Sequence, residues 1–375
     1  MLEKQSAEPT DRFDQLEQSL RQEREPLVAG KYRLEKIIGQ GGMGRIYLAH
    51  QAHLDRKVAI KLMIAAADQD ATERFKEEAS VTAKLSHPNT IRIFDFGVME
   101  ADVFYLVMEY IQGANIKQQL RKQGAIPPMI AAKLISDVCG ALAEAHEKGI
   151  VHRDIKPGNI MMVEHREGVS AKLLDFGLVK SLNGSRIKTK TGVIIGSPMY
   201  MSPEQVENKG VCFASDIYSL GLTFYNMLTN THPFQEDSLS AYFTAHLLKY
   251  PRSLEEVRPE LKAYPALQQI INVAIQKDPR ERFQTAEQLK QALGQFLEAP
   301  TLSLEINNML LAQNDEISAV DDAMENATRI DLRGKSLPQR KSKEPEIERR
   351  PSWQLGLGLF ILLGLGAALF LLQAF

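Results

Sequence analysis

The glycines of Gly39-Gln-Gly-Gly-Met-Gly44 constrain this chain more than any other feature, because of the strand-forming residues on either side of them. Glycine lets backbone amides approach an anion without side-chain interference. The same spacing opens dinucleotide-binding folds, but there a helix starts at the last glycine. Here Arg45-Ile-Tyr-Leu-Ala continues as a strand, and Tyr32-Arg-Leu-Glu-Lys-Ile-Ile reads as a strand before it. The pattern therefore predicts a hairpin lid over phosphates. Taken alone, the six residues are also compatible with a plain flexible turn.

The next strand, Lys57-Val-Ala-Ile-Lys61, sets Val58 and Ile60 on one side and Ala59 and Lys61 on the other, towards the glycine loop. A lysine in a strand is usually a solvated edge residue. Inside an apolar strand, 17 residues after such a loop, it reads better as a phosphate ligand. A helix is predicted over residues 70–85, with Phe75, Ala79 and Leu85 apolar and Glu73, Glu77 and Glu78 as candidate counter-charges for Lys61. Strands are expected next at Ile91–Phe94 and Val103–Met108, then Glu109-Tyr-Ile-Gln-Gly113 reads as a linker able to meet a base edge. Ile130, Leu134, Ile135, Val138, Leu142 and Ala145 mark the core face of a helix ending near Gly149.

Beyond it lies His152-Arg-Asp-Ile-Lys-Pro-Gly-Asn159, an acid, a lysine and an amide that together can position a hydroxyl, neutralise a phosphate and hold a metal. Lys172-Leu-Leu-Asp-Phe-Gly177 places Asp175 at the end of a short strand, suited to magnesium, which takes one or two carboxylates plus phosphate oxygens.

These segments, in this order, resemble the bacterial eukaryotic-like (Hanks-type) serine/threonine protein kinases over about residues 31–297. Gly39-x-Gly-x-x-Gly44-x-Ile46 matches the glycine-rich loop, with Ile for the usual Val. Val58-Ala-Ile-Lys61, His152-Arg-Asp154-x-x-x-x-Asn159 and Asp175-Phe-Gly177 match the lysine, catalytic-loop and magnesium motifs. Ser202-Pro-Glu204 stands where Ala-Pro-Glu is usual.

The resemblance implies an α+β, bilobal kinase fold. A β-rich lobe would span about 31–110 and a larger helical lobe about 113–297. It implies that ATP is held by Ile38, Gly39, Gln40, Gly41, Gly42, Met43, Gly44, Arg45, Ile46 and Lys61, with Met108 as gatekeeper and Glu109 and Ile111 in the adenine hinge. Lys61 would pair with Glu78, Glu77 being the fallback. Asp154 would orient the substrate hydroxyl, and Lys156, typical of serine/threonine kinases, would meet the transferring phosphate. Asn159 and Asp175 would hold Mg2+, with Mn2+ as an alternative ion. Glu204 with Arg282, and Asp216, would brace the site without doing chemistry. Thr189 and Thr191, in the polar segment before Ser197, are the expected autophosphorylation sites, with Arg153 to receive the phosphate. The alternative function is a catalytically inactive kinase-fold scaffold, which the presence of Lys61, Asp154, Asn159 and Asp175 disfavours.

Bulk properties add exclusions. The chain has 375 residues, 25% of them charged, and a net charge of −2, which offers nothing to nucleic acid. Two cysteines, Cys139 and Cys212, are far apart and read as reduced, partly buried thiols. Met1–Arg24 is too charged for a secretory signal; residues 1–30 read as a polar extension, disordered or with a short helix at Phe13, Leu16 and Leu20.

Residues 298–352 read as a mostly disordered linker. Within it, Thr328-Arg-Ile-Asp331 has a form that, once phosphorylated, would suit a phosphothreonine-reading partner. Leu355–Leu372 is an 18-residue run without charge, so residues 353–375 are expected to form a single C-terminal transmembrane helix. Arg340, Lys341, Lys343, Arg349 and Arg350 precede it, which places the kinase-like part in the cytoplasm, tethered to the lipid of the inner membrane without an extracytoplasmic sensor. A kinase-domain dimer, and dimerisation through the glycine-rich run, stay open.

Overall fold

A computed structural model describes residues 27–41, 44–64, 69–99, 103–176 and 198–304. Gly42, Met43, Gly177, Thr189, Thr191, Ser197, Thr328, the leader before Leu27, the linker after Leu304 and the run 353–375 lie outside the described residues.

The smaller lobe is one antiparallel sheet of six strands in the order β1-β2-β3-β4-β6-β5. The strands are β1 (Leu27–Val28), β2 (Tyr32–Gly41), β3 (Gly44–Gln51), β4 (Arg56–Ile64), β5 (Ile93–Met99) and β6 (Val103–Glu109). β1 pairs Leu27 and Val28 with Arg33 and Tyr32, so the sheet begins upstream of the expected boundary at residue 31. β2 and β3 form the predicted hairpin, with Gly41 opposite Gly44.

Alternation along β4 sorts the two faces. Val58, Ile60 and Leu62 pack with Tyr47, Ala49 and Val107 on one side. Ala59 and Met63 pack with Phe104, Leu106 and Met108 on the other, against helix α1 (Gln69–Thr82) through its Phe75 and Ala79. Lys61 shares the α1 face with Ala59, as the alternation requires.

The larger lobe is built around α3 (Pro128–Glu147), which comes after α2 (Ile116–Gln123). Pro128 sits at its first turn, where a missing N–H costs nothing. Leu134, Ile135, Val138, Leu142 and Ala145 are buried as the periodicity predicts, but Ile130, expected on the same face, is exposed in the first turn of the helix. Cys139 is fully buried in the same face, and that burial pushes its thiol well above the usual range. Cys212, by contrast, is exposed, and both thiols are free; the sequence placed both in partial burial.

A three-stranded antiparallel sheet, β7 (Ala114–Asn115), β8 (Ile160–His165) and β9 (Gly168–Leu173), lies on α3. The rest comprises α4 (Pro203–Val206), α5 (Phe213–Thr229), α6 (Leu239–Leu248), α7 (Leu254–Val257), α8 (Pro265–Ala274) and α9 (Ala286–Glu298). α5 is nearly enclosed, and α3, α5, α8 and α9 share one apolar core.

Candidate active site

The catalytic-loop segment is held in place mainly by its own backbone. Asp216, in the first turn of α5 and 1% exposed, accepts hydrogen bonds from the amides of His152 and Arg153, each at 2.8 Å, and from His146 Nε2 at 2.9 Å. Three donors satisfy a carboxylate that would otherwise be costly to bury. They also hold Arg153 at φ 66°, a left-handed conformation unfavourable for a residue with a Cβ.

His152 Nε2 donates to the Leu174 carbonyl at 2.7 Å, and its Nδ1 accepts the Asp154 amide at 3.2 Å. Burial drives the ring pKa below its ordinary value, and both hydrogen bonds suit the neutral tautomer. The ring stacks obliquely on Phe176 at 4.7 Å, joining the catalytic loop to the segment after β9 that carries Asp175.

On this frame Asp154 Oδ2 lies 2.6 Å from Lys156 Nζ and 3.0 Å from Asn159 Nδ2, and Asn159 also donates to the Asp154 carbonyl at 2.8 Å. The acid, the lysine and the amide of the sequence motif thus converge on one point. Asp175, at φ 47°, meets Lys61 Nζ at 2.9 Å across the cleft between the lobes. The expected partner of Lys61, Glu78, is half-buried on the inner face of α1, while Glu77 is exposed. A cavity of about 380 Å³ opens between α1 and the catalytic segment, bringing Glu77, Glu78, Arg153 and Phe176 to one space.

The β2–β3 hairpin forms the roof of the site. A Cβ at Gly44 would run into the Leu62 carbonyl oxygen, so this glycine is demanded by the close approach of β3 and β4. Among the described residues Gly41 has no neighbour within 4 Å that a Cβ would meet. Ile38 is 40% exposed near the hairpin tip, Gln40 pairs with Arg45, and Arg45 is buried. Ile46 packs on the Lys61 face with Met108 and Ile111. At the expected hinge, the Glu109 carboxylate is engaged by Lys172 Nζ at 2.7 Å and by the Arg92 amide at 2.9 Å, so its side chain is spent within the protein.

Arg282 and Glu204 form a two-pronged pair, both contacts 2.9 Å, with side chains 0% and 6% exposed. Arg282 also donates to the carbonyls of Gln276, Ala214 and Lys277, and Ser215 Oγ donates to Glu204 at 2.5 Å. Burial alone would raise the Glu204 pKa; Arg282 and Ser215 together bring it below the ordinary range. Ser202, where Ala is usual, caps α4: its Oγ accepts the Gln205 amide at 3.4 Å, and Gln205 Oε1 accepts the Ser202 amide at 2.9 Å. Gln205 Nε2 then donates to the Arg153 carbonyl at 3.1 Å, tying this cap to the catalytic loop. The Ser-x-x-Gln signature was visible in the sequence.

Sequence reasoning passed over other supports. Asn89 donates to the Ala171 carbonyl at 2.7 Å, anchoring β9. Glu144 on α3 accepts from the Ser86 and His87 amides, both at 2.9 Å, and from Lys148 at 2.7 Å, pinning the chain just after α1. These contacts, stronger together than burial, bring its pKa down to about 2. No local pattern points to the Asn89–Ala171 contact or to those of Glu144 with Ser86 and His87; only the Glu144–Lys148 pair is at helical spacing.

Comparison with known proteins gives a consistent result. A family model described as "Protein kinase domain" matches residues 32–293. Serine/threonine-protein kinase pkn3 of Myxococcus xanthus is 36% identical over 272 residues, 71% of this chain and 50% of that protein. Serine/threonine-protein kinase PrkC of Bacillus subtilis is 36% identical over 278 residues, 74% of this chain and 42% of that protein. The chain thus spans half or less of these curated relatives. In structure it is similar to the crystallised kinase domain of Mycobacterium tuberculosis PknI, with a TM-score of 0.55 and 25% identity, covering 71% of this chain and 95% of that one.

Proposed function

The chain belongs to the protein kinase family, and from that premise we propose that it transfers the γ-phosphoryl group of ATP to serine and threonine hydroxyls of proteins. The observation that carries the reading is the convergence of Lys156 and Asn159 on the Asp154 carboxylate. Asp154 accepts and orients the incoming hydroxyl. Lys156 sets a positive charge beside the oxygen attacked and the phosphoryl in flight, where charge develops. Lys61 binds the non-transferred phosphates, leaving Asp175 when they arrive and taking Glu78 as its counter-charge. Met108, Ile46, Ile111 and the backbone at Glu109 receive the base.

The residues fit a hard divalent cation. Asp175 supplies a carboxylate in the cleft, and Asn159 spends its amide nitrogen on Asp154, so its oxygen is the atom suited to a metal. When bound, Mg2+ would neutralise phosphate charge there. The remaining chemistry is positioning by the chain's own groups.

The test is incubation of the purified protein with γ-labelled ATP and a generic basic protein, beside Asp154→Asn. Strong labelling by the unmutated protein and little by the variant is expected; equal labelling would sink the assignment and leave a scaffold.

Attachment to the cytoplasmic membrane is part of the same proposal. Among the described residues no helix is long and apolar enough to cross a bilayer. What supports an anchor is the uncharged run Leu355–Leu372 with five basic residues before it. The full chain should pellet with carbonate-washed membranes, and a variant lacking residues 353–375 should not; recovery of both in the supernatant refutes the anchor. Activation by autophosphorylation at Thr189 or Thr191 is supported by Arg153, which directly precedes Asp154 and could pair with a loop phosphate, and mass spectrometry of the ATP-treated protein tests it together with Thr328.

A further inference from the structure

The two peptide groups that flank Asp154 fix the direction in which its side chain leaves the backbone. On the far side, the Asp154 carbonyl accepts from Asn159 Nδ2 at 2.8 Å. On the near side, the Asp154 amide donates to His152 Nδ1 at 3.2 Å, and the Arg153 carbonyl of the same peptide group accepts from Gln205 Nε2 at 3.1 Å. Asn159 and His152 belong to the catalytic loop itself. Gln205 stands on α4, 52 residues beyond Arg153 in the chain.

The orientation of the Gln205 amide is set by its partners. Oε1 accepts the Ser202 amide at 2.9 Å and the Ser202 hydroxyl at 3.3 Å. A backbone N–H can only donate, so the oxygen faces Ser202; a carbonyl can only accept, so the nitrogen faces Arg153. The short helix that carries Gln205 is itself fixed. Glu204, the residue before it, is buried and held by Arg282 and by Ser215 Oγ. Ser215 in turn precedes Asp216, whose Oδ1 takes the Arg153 amide at 2.8 Å. Arg153 is therefore gripped at both ends of its backbone, its N–H from α5 and its C=O from α4, and the Ser215–Glu204 contact joins those two helices. Such a grip is what a residue with a Cβ needs to stay at φ 66°.

We propose that Gln205 is a positioning residue for the catalytic acid: by holding the Arg153 carbonyl it sets the plane of the Arg153–Asp154 peptide, and with it the aim of the Asp154 carboxylate. This rests on the kinase reading above and deepens it, adding to the loop's own groups a donor from outside the loop. Attack by a hydroxyl depends on alignment, so a tilted peptide lowers turnover and leaves nucleotide binding alone. The role requires a donor. Glutamate preserves the cap, since its carboxylate accepts the Ser202 amide, but it turns an acceptor on the Arg153 carbonyl. Methionine gives up both contacts and sets no oxygen against that carbonyl.

The test is steady-state kinetics of the full chain with histone as acceptor, for the unmutated protein, Gln205→Met and Gln205→Glu, with thermal melts to show that each is folded at the assay temperature. Gln205→Met should lower kcat about tenfold, the effect of one lost hydrogen bond, and leave the KM for ATP within about twofold. Gln205→Glu should lower kcat about a hundredfold, again with the KM for ATP held. A cap that served stability alone would give the opposite order, with glutamate the more active variant. Unchanged kcat in Gln205→Met, a kcat for Gln205→Glu at or above that of Gln205→Met, or a KM for ATP that rises as kcat falls would overturn the inference. If the methionine variant does not fold, Gln205→Glu decides alone: a fall in kcat of about tenfold or more supports the role, and a smaller one overturns it. No labelling of histone by the unmutated protein would instead overturn the kinase reading on which it stands.

Discussion

Replacing Asp216 by asparagine tests the frame of the site most directly. The substitution preserves size but turns one acceptor oxygen into a donor. Asp216 Oδ2 receives the His152 amide and His146 Nε2, and Oδ1 receives the Arg153 amide. An amide oxygen can keep the first two contacts, leaving the Arg153 N–H facing an NH2 group. An unmade buried donor costs about 1–3 kcal/mol, and loss of the charge in the two remaining bonds about 1 kcal/mol each. A neutral amide is easier to bury than a carboxylate, which offsets part of this. The net loss should be about 2–4 kcal/mol, or roughly 5–12 °C in melting temperature for a domain of this size.

The consequence for activity is local. Arg153 at φ 66° stores about 1–3 kcal/mol of backbone strain, and it relaxes once its amide is released, carrying Asp154 with it. Thermal melts and kinetics below the melting point read the two effects separately. kcat should fall by at least about tenfold while the KM for ATP, set by β2–β4 and the hinge, holds within about threefold. A variant that melts within about 1 °C of the parent and keeps its kcat would refute the reasoning.

Other perturbations probe the same geometry. Arg282→Met leaves Glu204 buried without its partner and should cost about 3–5 kcal/mol by urea denaturation; adding Glu204→Leu should recover a large part, and no recovery would show that packing, not the stranded charge, dominates. Gly44→Ala should weaken ATP binding by at least about tenfold by pushing β3 off β4, whereas Gly41→Ala should leave the melting temperature of the nucleotide-free protein unchanged. His246, with a pKa that burial brings near 4 when folded against an ordinary 6.5, binds its proton more readily unfolded. Its contribution of about 3 kcal/mol is present above pH 6.5 and lost as pH falls towards 4, so His246→Gln should flatten the decline in melting temperature across that window. Glu144, held near 2, acts lower: its share is present above about pH 4.5 and lost as pH falls towards 2, and Glu144→Gln should remove that part of the acid transition.

Much of the fold was legible because its signals are local. The glycine hairpin, the alternation through Val58, Ala59, Ile60 and Lys61, and the apolar face of α3 each arise from backbone periodicity within a few residues. So does the chemistry of Asp154, Lys156 and Asn159, whose spacing fits one tight turn. Legibility failed where partners are far apart in sequence. Asn89 meets Ala171, and Glu144 meets Ser86 and His87, contacts whose spacing has no repeat to betray it. His246 and Pro198 are of the same kind, 48 residues apart.

The sequence by itself therefore determined the composition of the site: which acid, which lysine, which amide, and the strands and loop that carry them. Covalent spacing and side-chain periodicity are enough for that. The partners of charges distant in sequence were decided by tertiary structure. Lys61 lies on Asp175; Glu109 is spent on Lys172; and Asp216 gathers three donors from two segments. A charge in a closed cleft has few neighbours, and packing chooses them. That choice depends on how two lobes meet, which no stretch of the chain encodes locally.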